Sequence, residues 1–448
     1  MRLLLHQKGM NKASLEQWLQ RLECLHPKAM ELGLERVSAV AHKMGLLPLK
    51  QPVVTVAGTN GKGSTVAVLE ALLNECGYTT GAFTSPHFFR FNERIRVAGV
   101  EALDEDIVAA FVAIDAARED VSLTYFEFAT LAALLVFKVN DPDIVILEVG
   151  LGGRLDSVNI VDASVAVITS IDLDHQDWLG QTRGEIAREK AGIMRAAKPV
   201  VIADPLAPPE LLACAAAVAA APVLCLDRDF WVQETGVQWG GVLSQVPRAG
   251  QQDGQMQNAQ RKLLLQEKGP LLPQNICAAL QAAVLLQVEF SDEQIQLALD
   301  KVVLPGRRQE QHLAGRDYVL DVAHNPASVN KLLEHISVTR CKGRTIALFS
   351  VMADKDVETM IRSTSGVFDA WFLADQPGNE RAVAASDVAA LLYAAGQNMI
   401  SVSKNLRQAF RRAQGLMVEG DRLVVFGSFF TVAEVLPQLD KDRRKYGA

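Results

Sequence analysis

The stretch VVTVAGTNGKGST, residues 53–65, decides the fold because it joins a β-branched strand to a glycine-rich turn and then to a helix. In such a turn, backbone N–H groups approach phosphate oxygens and the N-terminus of the next helix adds positive potential. Lys62 is placed to reach the outer phosphates. The turn departs from the strict G-x-x-x-x-G-K-[ST] pattern, since Val56 replaces the first glycine and Gly63 follows the lysine. It still predicts a phosphate-binding turn.

Further β-branched runs alternate with helical patterns downstream of this turn, at residues 144–149, 165–171 and 200–203. Strands that alternate with helices predict a largely parallel sheet covered on both faces. The break at 304–307 marks a domain boundary, and strands restart at 318–322, 345–349, 370–373 and 423–426. We therefore expect an α/β protein with a P-loop-type ATPase domain (1–304), a linker (305–310) and a smaller Rossmann-like domain (311–448).

Composition excludes several classes of protein. The 448 residues are 49% hydrophobic and 22% charged, as in an ordinary globular chain of more than one domain. A net charge of -7 gives no global attraction to nucleic acids or anionic membranes, so neither is expected as a partner. The six cysteines lack metal-type spacing and are expected to be buried thiols of a reducing compartment. No export signal is evident, and a cytoplasmic monomer is expected.

Two other segments have a recognisable pattern. Leu15, Trp18, Leu19 and Leu22 follow helical spacing behind Ser14, which predicts an N-terminal amphipathic helix capped by that serine. Residues 244–266 are polar and rich in glutamine, without a helical or alternating period. This second segment is expected to be an exposed loop or a hairpin excursion.

Polar side chains follow several of the predicted strands. Glu148 ends one apolar run, Ser85 follows another, and His175 lies in an acidic cluster after a third. Carboxylate and hydroxyl oxygens are ligands that Mg²⁺ prefers, and imidazole is a further possible ligand. Lys190 lies within a predicted helix, where a lysine is ordinarily solvated, and His324 follows a strand of the second domain. Because ligands bind at the carboxyl ends of parallel strands, these residues are candidates for a site.

Taken together, the motifs resemble those of one family. They are GTNGKGS (58–64), SPH (85–87), EVGLGGRLD (148–156), DH (174–175), EKAGI (189–193), PGR (305–307) and DVAHNP (321–326). In this order they resemble folylpolyglutamate synthases, which belong with the Mur ligases among ATP-dependent amide-forming enzymes. The runs LGLERV (32–37) and YFEF (125–128) resemble the bacterial bifunctional branch, which also has dihydrofolate synthase activity.

The resemblance implies a role for each matching residue. The phosphates of ATP would be wrapped by Thr59, Asn60, Gly61, Lys62, Gly63 and Ser64, and the nucleotide would also contact Asn275, Arg307 and Asp321. The metal ligands would be Ser85, Glu148 and His175, and a carbamylated Lys190 would support a second Mg²⁺. The pterin-bearing substrate would be lined by Thr124, Tyr125, Phe126, Glu127, Leu155, Asp156 and Ser157. His324 would lie near the incoming amino acid or the phosphate.

The activity implied is ligation of L-glutamate to 7,8-dihydropteroate and to reduced folates through an acyl phosphate, with ATP, two Mg²⁺ ions and a monovalent cation as further components. Three alternatives stay open at this point: a single-function folylpolyglutamate synthase, a Mur-type ligase of a UDP-linked precursor, and a nucleotide switch that binds a partner protein. The sequence contains no N-K-x-D segment, which a GTPase switch would need to recognise its base. It also contains no G-x-G-x-x-G segment after a strand, which argues against dinucleotide oxidoreduction.

Overall fold

The computed structural model describes residues 13–26, 31–235, 238–244, 260–266 and 271–446. The chain divides into two compact units. The first contains the chain up to Asp172 and then Trp178–Val302; the second contains Leu173–Asp177 and the chain from Val303 onward. The short segment Leu173–Asp177 thus belongs to the second unit, although in sequence it interrupts the first.

An eight-stranded sheet forms the centre of the first unit. Its strands are β1 (Val53–Ala57), β2 (Thr80–Phe83), β3 (Ile95–Val97), β4 (Val100–Glu101), β5 (Ile144–Glu148), β6 (Val165–Ile168), β7 (Val200–Ile202) and β8 (Val223–Cys225). Their spatial order is β4-β3-β2-β5-β1-β6-β7-β8, and the sheet is parallel from β2 to β8. All five residues of β1 are buried, because β5 and β6 pair with it on either side.

Ten helices of the first unit surround these strands in the described residues. They are α1 (Leu15–Leu25), α2 (Glu35–Lys43), α3 (Lys62–Glu75), α4 (Asp104–Arg118), α5 (Tyr125–Asn140), α6 (Gln176–Leu179, at the edge of the second unit's segment), α7 (Arg183–Ala191), α8 (Pro209–Ala217), α9 (Pro273–Leu285) and α10 (Asp292–Lys301). The predicted start of α1 is confirmed, since Ser14 and Gln17 form a reciprocal capping box. Its buried face carries Leu15, Trp18 and Leu22.

The polar segment 244–266 is part of a three-stranded antiparallel sheet in its described portion. The strands are β9 (Trp231–Thr235), β10 (Gln238–Ser244) and β11 (Gln260–Gln266), in the order β11-β10-β9. The guanidinium of Arg261 joins β11 to α10, donating to the carbonyl of Phe290 at 2.6 Å and to Asp292 at 2.5 Å. The hairpin interpretation therefore holds for the described residues; residues 245–259 lie outside them.

The second unit contains a six-stranded sheet with helices between its strands. The strands are β12 (Gln309–Leu313), β13 (Arg316–Leu320), β14 (Thr345–Phe349), β15 (Ala370–Ala374), β16 (Ile400–Ser403) and β17 (Arg422–Phe426), in the order β12-β13-β17-β14-β15-β16. The helices are α11 (Pro326–Val338), α12 (Val357–Ser363), α13 (Ala385–Ala394), α14 (Leu406–Leu416) and α15 (Phe429–Tyr446). Only β12 is antiparallel to its neighbour. The α/β class with a mainly parallel sheet in each unit is confirmed.

The cysteines depart in part from expectation. All six are free thiols, but only Cys277 is buried, and Cys24 is exposed. The prediction that all are buried is wrong because Cys24 lies on the face of α1 opposite Trp18 and Leu22. Within the described ranges, no helix has both the length and the apolar character needed to cross a bilayer.

Candidate active site

The predicted phosphate-binding turn between β1 and α3 is held from two sides. Gly61 has a left-handed conformation (φ +91), and a Cβ atom there would lie 2.5 Å from Asn275 Oδ1. Just after β6, Thr169 Oγ1 and Ser170 Oγ donate to the carbonyl of Asn60 at 2.7 and 3.0 Å. Glycine is therefore required at position 61 by both its φ angle and the nearby amide. The structure brings three predicted nucleotide residues, Asn60, Gly61 and Asn275, to one place.

Lys62 begins α3 and folds back over the turn. Its Nζ donates to the carbonyl oxygens of Gly58 and Thr59 at 3.0 and 3.2 Å. Thr59 is held in turn by the backbone N–H of Asp172, which donates to Thr59 Oγ1 at 3.0 Å. Ser64 lies buried in the first turn of α3. A positive charge and a helix N-terminus therefore meet at this turn, which is the arrangement that binds phosphate.

Glu148 and Ser85 lie together at the adjacent strand ends. The backbone N–H of Ser85 donates to Glu148 Oε2 at 3.0 Å, and Glu148 is only 4% exposed. Gly63 faces the same carboxylate, since a Cβ there would be 3.6 Å from Glu148 Oε1. The first turn of α3 and the buried carboxylate are thus neighbours, as a metal bound to a nucleotide phosphate would require.

Lys190 is buried and reaches the same turn. Lys190 is 4% exposed, and its Nζ donates to the carbonyl oxygen of Gly58 at 3.0 Å. The general expectation that a helical lysine is solvated is wrong here, because α7 presents this side chain to the turn rather than to water. Lys62 and Lys190 therefore converge on one carbonyl oxygen.

The predicted substrate run begins α5. Thr124 and Glu127 form a capping box, in which Glu127 Oε2 accepts from the backbone N–H of Thr124 at 2.7 Å. Arg36 contacts the other oxygen of Glu127 at 3.2 Å. The carboxylate of Glu127 thus supports the start of the helix, whereas Phe126 lies against Gly150, where a Cβ would be 2.6 Å from its ring.

Asp156 is buried in the loop after β5. It accepts hydrogen bonds from the backbone N–H of Leu151 at 2.8 Å and of Val158 at 3.0 Å. Burial nevertheless raises the pKa of Asp156 to about 6. Beside it, the hydroxyls of Ser157 and Thr130 lie 2.5 Å apart. The neighbouring predicted residue, Leu155, accepts a backbone hydrogen bond from Gly33 at 3.4 Å.

Arg94 is a buried cation that the sequence reasoning missed. It is 9% exposed, its Nε donates to His87 Nδ1 at 2.7 Å, and its guanidinium carbon lies 5.7 Å from the ring centres of both Phe91 and Tyr125. Burial, together with the charge of Arg94, lowers the pKa of His87 to about 4. No spacing or periodicity of the sequence distinguishes Arg94 from the neighbouring arginines.

In the second unit, Asp174 lies at the centre of a polar cluster. Its carboxylate accepts from Lys355 Nζ at 2.6 Å and from Asn325 Nδ2 at 3.0 Å, and His324 Nε2 is 3.4 Å away. Burial raises the pKa of Asp174, but the hydrogen bond and charge of His324, with Lys355, outweigh it and hold that pKa well below its usual range. Asp174 is therefore ionised, and His324 is one of the groups that surround it.

His175 belongs to the same cluster. Its Nε2 lies 3.2 Å from Lys355 Nζ, and its Nδ1 lies 3.4 Å from Asp354 Oδ2. The residue has a left-handed conformation (φ +51), which is uncommon for a side chain other than glycine or asparagine. Lys355 and Asp354 were not predicted, because they lie about 180 residues away in sequence.

Asp321 and Arg307 organise the start of the second unit. Asp321 accepts from the backbone N–H groups of Arg308 and Ala323 at 2.8 and 2.7 Å. Burial raises the pKa of Asp321, and the charge of Arg307 partly offsets this. The guanidinium of Arg307 also lies 5.2 Å from the ring centre of Phe429.

A divalent cation has a partial set of donors in each unit. Across the described part of the chain, no group of three or more His, Cys, Asp or Glu side chains is arranged to hold a metal. Glu148 and Ser85 fit a cation that also binds phosphate oxygens, since they offer a buried carboxylate and a hydroxyl beside the turn. Both ring nitrogens of His175 face charged side chains, so this imidazole fits a metal only after Lys355 has moved.

Comparison with protein families gives two matches. Residues 56–207 match the Mur ligase middle domain, and residues 306–429 match the Mur ligase, glutamate ligase domain. The first match contains the phosphate-binding turn, Glu148 and Lys190; the second contains Arg307, Asp321 and the residues around His324.

Individual relatives extend the similarity over nearly the whole chain. Dihydrofolate synthase/folylpolyglutamate synthase of Escherichia coli (strain K12) is 40% identical over 431 residues, covering 96% of each chain. The structure of E. coli FolC in complex with DHPP and ADP superimposes with a TM-score of 0.88 at 37% identity, over 97% of this chain and 100% of that one. A bifunctional folylpolyglutamate synthase/dihydrofolate synthase with Mn, AMPPNP and L-glutamate bound gives a TM-score of 0.85 at 38% identity, with the same coverage. The chain therefore belongs to the dihydrofolate synthase/folylpolyglutamate synthase family.

Proposed function

We propose that this protein is an ATP-dependent, ADP-forming ligase that joins L-glutamate to the carboxylate of 7,8-dihydropteroate and to the γ-carboxylate of reduced folates. One observation carries the proposal: Lys62 and Lys190 both donate to the carbonyl of Gly58, at a phosphate-type turn that also adjoins the buried Glu148. The family comparisons supply the substrates, since relatives with this description cover nearly the whole chain.

The reaction needs ATP because forming an amide from a carboxylate and an amine in water is unfavourable. A carboxylate oxygen attacks the γ-phosphorus, the bond from that phosphorus to the β–γ bridging oxygen breaks, and ADP leaves. The amine of glutamate then attacks the acyl phosphate and inorganic phosphate leaves. Because charge moves onto the transferring group, catalysis is mainly positioning and electrostatic stabilisation. Lys62 is placed to supply positive charge, and the N–H groups of the turn to hold the phosphates.

Glu148 and Ser85 are the first-unit residues that would hold a divalent cation with the nucleotide. Bound there, Mg²⁺ would neutralise charge on the phosphate oxygens. His175 would join them as the family resemblance implies. Its Nε2 lies 3.2 Å from Lys355 Nζ, so binding of a metal at this nitrogen requires that contact to open.

Lys190 is proposed to carry a carbamate that supports a second Mg²⁺. The ammonium first loses one proton; the neutral Nζ then bonds to the carbon of CO₂ and loses a second proton, so a cation becomes an anion. The carbamate nitrogen keeps one N–H, which allows the bond to Gly58 O to persist. A buried anion beside this turn is the type of ligand that Mg²⁺ takes.

The remaining assignments belong to the same proposal. Thr59–Ser64 with Asn275, Arg307 and Asp321 would bind the nucleotide, and the runs 124–127 and 155–157 would hold the pterin-bearing acid. His324 would lie near glutamate or the phosphate; its Nδ1 lies 2.8 Å from the carbonyl oxygen of Val322. A monovalent cation, a monomeric state and a cytoplasmic location are further parts of the proposal.

The test is ATP-dependent phosphate release by the purified protein with L-glutamate, using 7,8-dihydropteroate in one reaction and a reduced folate in another. We expect release with both acceptors and loss of release in Lys62→Met. Release with a single acceptor would support the single-function alternative. Release with neither acceptor would overturn the proposal and favour the Mur-type ligase or the nucleotide switch.

A further inference from the structure

Arg94 is a buried charge that forms no ion pair with any described residue. It is 9% exposed, and its only side-chain hydrogen bond to a described residue runs from Nε to the imidazole of His87. Because Nε–H donates to His87 Nδ1, that nitrogen carries no proton. The two terminal nitrogens of the guanidinium make no hydrogen bond or ion pair with any described residue. They are the groups that an arginine ordinarily directs at a carboxylate or a phosphate.

Two carboxylates near this segment are engaged elsewhere. Glu93 accepts the backbone N–H groups of Phe88, Phe89 and Arg90 at 2.6 to 2.7 Å. Glu70 lies under Arg96, two residues further along, with Nη2 at 2.7 Å and Nε at 2.9 Å from Oε2. The same short segment therefore contains one arginine with a fitted carboxylate and one without.

Among the described residues, the charges of two carboxylates act on Arg94, and the second, besides Glu93, is Glu148. Glu148 accepts from the backbone of Ser85 and is the proposed ligand of a divalent cation. With a cation on Glu148, the carboxylate would no longer be available to balance Arg94. Arginine stays protonated inside proteins, and the faces of Phe91 and Tyr125 compensate a buried charge only in part. The missing negative charge must then come from a ligand.

We propose that Arg94 binds the carboxylate of the acceptor substrate, the group that becomes the acyl phosphate. This inference rests on the proposed function and adds a catalytic residue to it. Arg94 adjoins Tyr125, in the run assigned to the acceptor, and its field reaches Glu148, at the end of the strand beside the phosphate turn. A planar guanidinium there holds both carboxylate oxygens and leaves one lone pair for the γ-phosphorus. Arg94 keeps its proton throughout.

The acceptor carboxylate is favoured over a phosphate of ATP as the anion. The nucleotide phosphates already have the N–H groups of the 58–64 turn, the start of α3 and Lys62. Arg94 lies instead beside His87 and two aromatic rings, surroundings suited to an aryl acid. The experiment below separates the two sources.

The test measures binding of 7,8-dihydropteroate and of its carboxamide to the wild type and to Arg94→Met, without glutamate and with a non-hydrolysable ATP analogue. The wild type should prefer the acid by about 10- to 100-fold, the range of a charged hydrogen-bonded pair. Arg94→Met should bind the carboxamide as the wild type does and lose most of the preference for the acid. Arg94→Lys should recover part of the preference for the acid, since lysine restores the positive charge without the paired N–H donors of a guanidinium.

Arg90→Met is the matched control, because Arg90 lies on the same segment with 63% of its side chain exposed. It should leave both affinities unchanged. The melting temperature of Arg94→Met should be equal to or above that of the wild type, because the variant removes an uncompensated buried charge. A lower melting temperature with a retained preference for the acid would identify a structural arginine and overturn the inference.

Two other results have distinct meanings. If Arg94→Met weakens the ATP analogue and keeps the preference for the acid, the anion is a phosphate and the assignment to the acceptor is wrong. If the wild type binds neither pterin compound, the proposed function fails, whatever the behaviour of the variant.

Discussion

The charged side chains at the strand ends of the two units are organised in opposite ways. In the first unit, Lys62 and Lys190 donate to a backbone carbonyl, and the buried Arg94 donates to an imidazole. In the second unit, the buried Asp174 accepts from Lys355 and Asn325 and has His324 alongside. Arg94 therefore leaves positive charge for an anionic ligand, whereas the charges around Asp174 are paired with one another.

This difference distinguishes residues that bind ligands from residues that stabilise the fold. Arg94 and Arg96 show the same contrast within three residues, since Arg96 has a bidentate carboxylate and Arg94 has none. A buried pair that is satisfied internally contributes to the fold, and breaking it is costly. A buried cation held by neutral groups adds little to stability and is retained for what it binds. The comparison therefore predicts activity losses in the first unit and stability losses in the second.

The largest effect is expected at Lys190. Lys190→Ala removes both the buried amine and the proposed carbamate, so kcat should fall by about 10³-fold, the upper range for one preorganised electrostatic group. The melting temperature should change little. Phosphate release with both acceptors, with and without added bicarbonate, measures this. Arg188→Ala is the control on the same helix, because that side chain is 58% exposed.

An active Lys190→Ala enzyme would contradict the prediction that changes in the first unit reduce activity. If it kept full activity independent of bicarbonate, the carbamate would be removed from the mechanism, and the contact of Lys190 with Gly58 would be structural.

A smaller effect, on stability, is expected at Asp174. Asp174→Ala leaves the ammonium of Lys355, whose side chain is 5% exposed, without one of its two carboxylates. The free energy of unfolding of the second unit should fall by about 3 kcal/mol, as when one partner of a buried pair is removed. Urea unfolding followed by the fluorescence of Trp371, buried in that unit, measures it. Asp317→Ala, at an exposed pair with His312, should change it by about 0–1 kcal/mol. Equal losses in the two variants would contradict a structural role for Asp174.

The sequence predicted the phosphate turn and the central strands because each is a local pattern. Residues 53–65 read as strand, turn and helix, and Thr345–Phe349 was predicted to the residue. Short strands such as Ile95–Val97 show no such pattern, since their pairing comes from neighbours elsewhere in the chain. The partners of the site residues were missed for the same reason: Lys355 lies about 180 positions from Asp174, and Arg94 is defined by the absence of a carboxylate. Neither property can be recognised from a short stretch of sequence.

The last prediction concerns Asp156, a carboxylate of the first unit with backbone N–H partners and no arginine. Its pKa is raised to about 6 by burial, above the ordinary value of 3.8. The folded state therefore binds this proton more tightly than the unfolded state. The contribution to the free energy of unfolding is greatest at acid pH and decreases by about 3 kcal/mol as the pH rises through the interval between the two pKa values.

Asp156→Asn cannot ionise and should lack this dependence. One of the two backbone N–H bonds, to Leu151 or Val158, would lose its carboxylate acceptor, which adds an offset that does not vary with pH. The difference in unfolding free energy between wild type and variant, measured by urea unfolding at several pH values from about 4 to 7, isolates Asp156 because the other titrating groups are common to both proteins. We expect the wild type to lose stability relative to the variant across this range and the difference to become constant above it.

A difference that does not vary with pH would mean that the backbone N–H groups stabilise the carboxylate enough to offset burial. Asp156 would then resemble Asp174, a satisfied anion, and the contrast between the two units would be limited to their cations.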